Sequence, residues 1–147
     1  MHALREIEFG DKTAEVLIGE LASGEFTSGW NAAEILGEHR IEAAVPALRL
    51  GLESHDPFLV GKCMVALVRL KDTASYPRII ELFHESDNPR IIIHGANAFV
   101  ESADTERIPD LLLKLYSNDL YTSVADELLS SAASLCGCEK EFYRFLR

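Results

Sequence analysis

The sequence predicts an all-α chain, a short α-solenoid of about four antiparallel helix pairs with a period of 31–32. Three observations carry this reading. Pro46, Pro77 and Pro109 recur at steps of 31 and then 32, each preceded by an apolar residue, Val45, Tyr76 or Ile108. Two and six positions after each proline come Leu48/Leu52, Ile79/Phe83 and Leu111/Leu115, a spacing that suits one face of a helix. A second apolar stripe, Ile35-Leu36, Ala66-Leu67 and Ala98-Phe99, returns with the same period. Such a period marks stacked helical units, none of which can bury its apolar face alone.

The first copy is degenerate: Glu15 replaces the proline, while Leu17 and Leu21 keep the paired apolar positions. An acid follows ten positions after each anchor, at Glu25, Asp56, Asp87 and Asp119, and marks the turn between the two helices of a pair. Asp56-Pro57 and Asn88-Pro89 have the form of an N-cap followed by proline at the first helical position, so second helices start there. Asp72-Thr73 and Asp104-Thr105 open the following pairs. The expected pairs are 11–23 with 26–38, 41–54 with 57–71, 74–85 with 89–102, and 105–117 with 120–135. In the last helix the apolar stripe reads Leu129 and then Ser130. The tail, 139–147, carries Phe142, Tyr143, Phe145 and Leu146 and is expected to cover the final pair.

All 147 residues read as a single repeat domain, 48% hydrophobic and 26% charged, long enough to fold without a disulfide staple. Fourteen Lys and Arg against twenty-four Asp and Glu give a net charge of −10. A surface of that sign repels phosphate backbones and anionic lipid, so neither nucleic acid nor a membrane is an expected partner. No eighteen-residue apolar run occurs, and Arg5, Glu6 and Glu8 stand where a signal peptide needs an apolar core. Three cysteines make an odd set, with Cys136 and Cys138 one glycine apart, which is not a disulfide framework. A reducing, cytoplasmic setting is expected.

The stretch from Asn31 to Gly37 reads Asn-Ala-Ala-Glu-Ile-Leu-Gly; Ala44-Val45-Pro46-Ala47-Leu48 and Asp56-Pro57 follow it. Together they resemble the short HEAT-like repeats first grouped with phycobilin lyases, over about residues 11 to 135. The resemblance implies the solenoid, with second helices lining its concave face. It implies no single activity, since these repeats serve unrelated roles. The arginine that the family commonly carries near the start of each second helix is replaced here by Gly29, Val60, Ile92 and Ser123, so the acids are expected to act as caps.

Enzymatic chemistry finds little footing. HEAT-like hydroxylases hold a di-iron centre with His-Glu pairs, but the matching positions here are Trp30-Asn31, Gly61-Lys62 and Ile93-His94. The five histidines, His2, His39, His55, His84 and His94, fall in different repeat columns and would not converge on one ion. Cys63 shares a column with Ala32 and Gly95 and reads as a packing residue. No metal, cofactor or catalytic residue is therefore expected. The resemblance implies one enzymatic alternative, a linear tetrapyrrole lyase or chromophore chaperone, with its groove near Phe58, Met64, Ile93 and His94. A scaffold subunit of a larger assembly is another.

The leading expectation is a non-enzymatic module that binds a protein along its second-helix face, as a monomer or weak oligomer. Columns on that face change chemistry from copy to copy while the neighbouring stripe stays apolar, so folding does not fix them. One reads Thr27, Phe58, Arg90, Tyr121 and the next Asn31, Lys62, His94, Ala125. Further along come Glu34, Val65, Asn97, Leu128 and then Glu38, Arg69, Glu101, Ala132. Trp30, Phe58, Tyr121 and Arg90 are anchor types, with Asn31, Glu34, Lys62, Arg69, His94, Asn97 and Glu101 as their polar neighbours. The acidic balance points to a basic partner, as for an inhibitor or immunity-type protein steered onto its target.

Overall fold

The computed structural model describes residues 10–23, 26–117 and 120–137. The expected capping tail, Cys138, His2 and the acids Glu25 and Asp119 lie outside them. Within the described residues there are eight α-helices and no strand. They are α1 (Asp11–Ala22), α2 (Phe26–Glu38), α3 (Val45–Gly51), α4 (Pro57–Arg69), α5 (Tyr76–Glu85), α6 (Pro89–Glu101), α7 (Ile108–Ser117) and α8 (Thr122–Cys136). None is long and apolar enough to cross a membrane.

The prolines set where helices begin. Pro57 and Pro89 take the first turns of α4 and α6, behind N-caps whose side chains accept from the backbone two residues on. Asp56 accepts from the Phe58 N–H at 3.1 Å and Asn88 from the Arg90 N–H at 2.9 Å. Pro46 and Pro77 act alike in α3 and α5, because proline lacks the N–H that a first turn leaves unused. The residues just before α3, α5 and α7 wind instead as 3₁₀ turns, Glu42–Ala44, Thr73–Ser75 and Thr105–Arg107. The α-helical parts there are consequently shorter than the sequence spacing suggests. Asp104 caps its turn through the Glu106 N–H at 3.1 Å, whereas Asp72 makes no side-chain cap. Its carboxylate is held by Arg49 at 2.6 and 2.8 Å, which keeps it below the usual carboxylate range.

Second helices end in a shared manner. Arg40, Lys71 and Ala103 each stand two residues after the end of α2, α4 and α6, with φ of 53°, 57° and 53°, and Gly137 after α8 has 73°. A left-handed residue after a helix lets following N–H groups return to its last carbonyls, as Ile41, Asp72 and Asp104 do to Leu36, Leu67 and Phe99.

Each helix packs on its sequence partner: α1 on α2, α3 on α4, α5 on α6 and α7 on α8. The second helices also pack on one another in chain order, α2 on α4, α4 on α6 and α6 on α8. Between them lies the core of Leu36, Leu48, Met64, Leu67, Ile79, Phe83, Ile92, Phe99 and Leu111, all fully buried. Phe83 meets Phe99 edge-on at 5.0 Å between ring centres. Small residues let the helices approach: a Cβ on Gly37 would lie 2.8 Å from Ala66, and one on Gly51 would collide with the Cys63 sulfur. That sulfur is fully buried, and burial pushes its thiol up to about 12.

Polar links join consecutive pairs. Arg78 holds Glu53 at 2.8 and 3.0 Å, and His84 Nε2 lies 2.7 Å from Asp110. Lys114 is buried on α7, and its ammonium donates to the carbonyls of His84 at 3.0 Å and Ser86 at 2.6 Å. Those carbonyls lie at and just beyond the end of α5, where backbone acceptors lack helical partners. Against the cysteine expectation, Cys136 is disulfide-bonded, while Cys63 is free.

Candidate functional site

The residues expected to form one recognition strip divide into two groups along the second helices. Near their N-terminal ends the anchors are consumed by one another. Trp30 on α2 stacks on Phe58 of α4 with ring centres 4.6 Å apart, and the Arg90 guanidinium of α6 lies 4.5 Å from the centre of the same Phe58 ring. The indole Nε1–H of Trp30 donates to Asp56 at 2.5 Å, so the carboxylate that caps α4 also receives a donor from α2. This ladder ties three helices together and leaves Phe58 half-buried. Asn31 and Tyr121 stand exposed outside it; Tyr121 is the N-cap residue of α8, 77% exposed.

About one to three turns further along, the other group converges. Glu34, Lys62, Arg69, His94, Asn97 and Glu101 line one open groove of about 470 Å³. Its far wall is Glu127, Ser130, Ser131 and Ser134 of α8, which the columns did not select. The reason is register. Second helices start at Phe26, Pro57, Pro89 and Thr122, so the steps from one start to the next are 31, 32 and then 33, and no proline marks the last start. The residues of α8 that follow His94, Asn97 and Glu101 in this wall are thus Glu127, Ser130 and Ser134, two beyond those the columns named. For the same reason Leu128 is buried and Leu129 only partly so.

Two ion pairs bridge neighbouring helices across the groove. Lys62 Nζ lies 3.5 Å from Glu34 and Arg69 Nε 3.3 Å from Glu101. Both cations of the groove are thereby held by carboxylates of adjacent helices. His94 lines the same groove. Its Nδ1 lies 2.7 Å from the Arg90 carbonyl, and since a carbonyl only accepts, Nδ1 carries the proton. Nε2 is then an acceptor in the neutral ring. Burial, with the charges of Lys62 and Arg90, pushes the imidazole below its ordinary range. The ring rests on Gly61, where a Cβ would come 2.5 Å from its Cγ. Only glycine leaves room for this placement.

Of the residues named for a tetrapyrrole groove only His94 lines this one: Met64 is fully buried, Phe58 is stacked in the ladder, and Ile93 is not among its walls. A more apolar hollow of about 510 Å³ lies elsewhere, among Val68, Tyr76, Pro77 and Ser102. Among the described residues no three of His, Cys, Asp and Glu stand together in a manner suited to a metal ion. No family model matches the chain, and a comparison with curated proteins finds no match either.

Proposed function

We propose that this chain is a non-enzymatic protein-interaction module, a short HEAT-like solenoid of four helix pairs that docks a partner protein along its second-helix face. One observation carries the reading: six variable side chains from α2, α4 and α6 meet in a single open groove instead of scattering over the surface. Their positions are held by regular helices and by ion pairs between them, so little ordering entropy is lost on association. A net charge of −10 favours a basic partner and speeds encounter with it, as suits an acidic inhibitor or immunity-type protein.

The test is affinity capture from the native cell followed by hydrogen–deuterium exchange of the complex. Protection over Glu34, Lys62–Arg69 and His94–Glu101 is expected, with affinity that falls as salt rises. Protection confined to α1, α3, α5 and α7, or an affinity indifferent to salt, defeats the reading.

A further inference from the structure

We infer that the groove receives an arginine side chain from a basic segment of the partner, held between Glu127, His94 and Ser131. The inference rests on the docking reading above and names its chemistry. It starts from which polar groups of the groove are already satisfied. Lys62 and Arg69 are engaged by Glu34 and Glu101, so the groove's cations are compensated. Five other lining groups have capacity to spare among the described residues, Asn97 and Ser134 besides Glu127, His94 and Ser131. The Glu127 carboxylate has no ion-pair partner among the described residues, and His94 Nε2 makes no bond there once Nδ1–H is committed to Arg90. Ser131 is 5% exposed and lines the groove, yet its hydroxyl has no hydrogen-bond partner among the described residues.

The Ser131 hydroxyl is not sealed off, since it opens on the groove, so a ligand there can donate to it or accept from it. The Glu127 carboxylate and the imidazole nitrogen can only accept, the Ser131 and Ser134 hydroxyls and the Asn97 carbonyl can do so, and only the Asn97 NH₂ is confined to donating. The occupant they suit is therefore rich in donors. It is also a cation, because with the two bridging pairs neutral, Glu127 is the surplus charge of the groove. An anion would meet that carboxylate, and a neutral side chain would leave it uncompensated. A guanidinium supplies five N–H donors in a plane and pairs bidentately with a carboxylate, which an ammonium does not match. The overall charge of −10 draws a basic segment toward this face before contact.

The experiment titrates the full ¹⁵N-labelled chain with an acetylated hexa-arginine peptide and its hexa-citrulline counterpart, which keeps the shape and loses the charge. Expected are shifts of the Glu127, His94 and Ser131 resonances with the arginine peptide and none with the citrulline one. Glu127→Gln should weaken binding about three- to tenfold. Asp126→Asn removes an exposed acid next to Glu127 that does not line the groove, and should change affinity less than about twofold. Ser131→Ala should give a smaller loss than Glu127→Gln. Equal losses for Glu127→Gln and Asp126→Asn would mean diffuse attraction and overturn the proposal. So would the absence of any shift in the groove, or equal binding of hexa-lysine and hexa-arginine. Tight binding of the citrulline peptide in the groove would also overturn it while leaving the docking reading standing. Shifts outside the groove with the captured partner would remove the docking reading itself.

Discussion

The two ends of the second-helix face differ in a way that residue type does not reveal. At the N-terminal rim, Trp30, Phe58 and Arg90 are the residues most often found at the centre of interfaces, yet they are stacked on each other and spent on joining α2, α4 and α6. Further along, a serine, a histidine and a glutamate look ordinary and are among the groups with capacity to spare within the described residues. A docking surface is marked by unsatisfied capacity, not by a list of favoured side chains. The rim serves the fold and the groove is available, which gives the variants below opposite expectations.

The sharpest break comes from the rim. Phe58→Ala removes the ring that both Trp30 and Arg90 stack on and should cost about 2–3 kcal/mol in urea unfolding, below the loss for a fully buried aromatic because Phe58 is only half-buried. The single tryptophan reports it directly through a red-shifted emission. Affinity for a groove ligand should stay within about twofold of the parent. A large affinity loss with unchanged stability would instead make the rim the recognition surface. Gly61→Ala strikes the groove from beneath. Its Cβ would lie within 3 Å of three atoms of the His94 side chain, so the imidazole must leave or the helices part, at about 1–3 kcal/mol. Here stability and groove binding should fall together.

A third test uses pH. The folded state holds His94 below its ordinary range, so below that range the unfolded chain binds more protons than the folded one. Stability is complete near pH 7 and above, and it declines as pH falls from the ordinary histidine value toward the folded one. Chemical denaturation between pH 7.5 and 5.5 should show this decline, and His94→Gln should flatten it. A stability that rises on acidification in that window would mean the imidazole is held as a cation, and the acceptor assigned to Nε2 would be lost.

What could be read in advance was local. The caps at Asp56 and Asn88 and the buried stripe through Leu36, Leu67 and Phe99 each depend on neighbours a few residues away, and their signals are chemical. The left-handed positions at Arg40, Lys71 and Ala103 had no such signal, because none is glycine. Lys114 reads as a surface lysine; its burial depends on α5 ending where its ammonium can reach two carbonyls. The α8 wall was missed for a related reason. Without a proline at Thr122 nothing in the chain fixed the length of the third step, and a slip of two positions turned Glu127 and Ser130 away from the strip. Pairing is the least legible property of all, since whether Trp30 is an anchor or a packing residue is decided by Phe58 and Asp56 across a helix interface.

The smallest expected effect separates the two kinds of charge within the groove. Arg69 and Glu101 are partly exposed and 3.3 Å apart, so breaking their pair by Glu101→Gln should cost about 0.2–1 kcal/mol, less at high salt. Glu127 has no ion-pair partner among the described residues, and Glu127→Gln should leave unfolding unchanged within about 0.5 kcal/mol while weakening an arginine ligand. The contrast is informative because both are glutamates on neighbouring walls of one groove. If Glu127→Gln destabilised the free chain as much as Glu101→Gln, the carboxylate would have a folding role, and unspent capacity would no longer distinguish the groove from the rim.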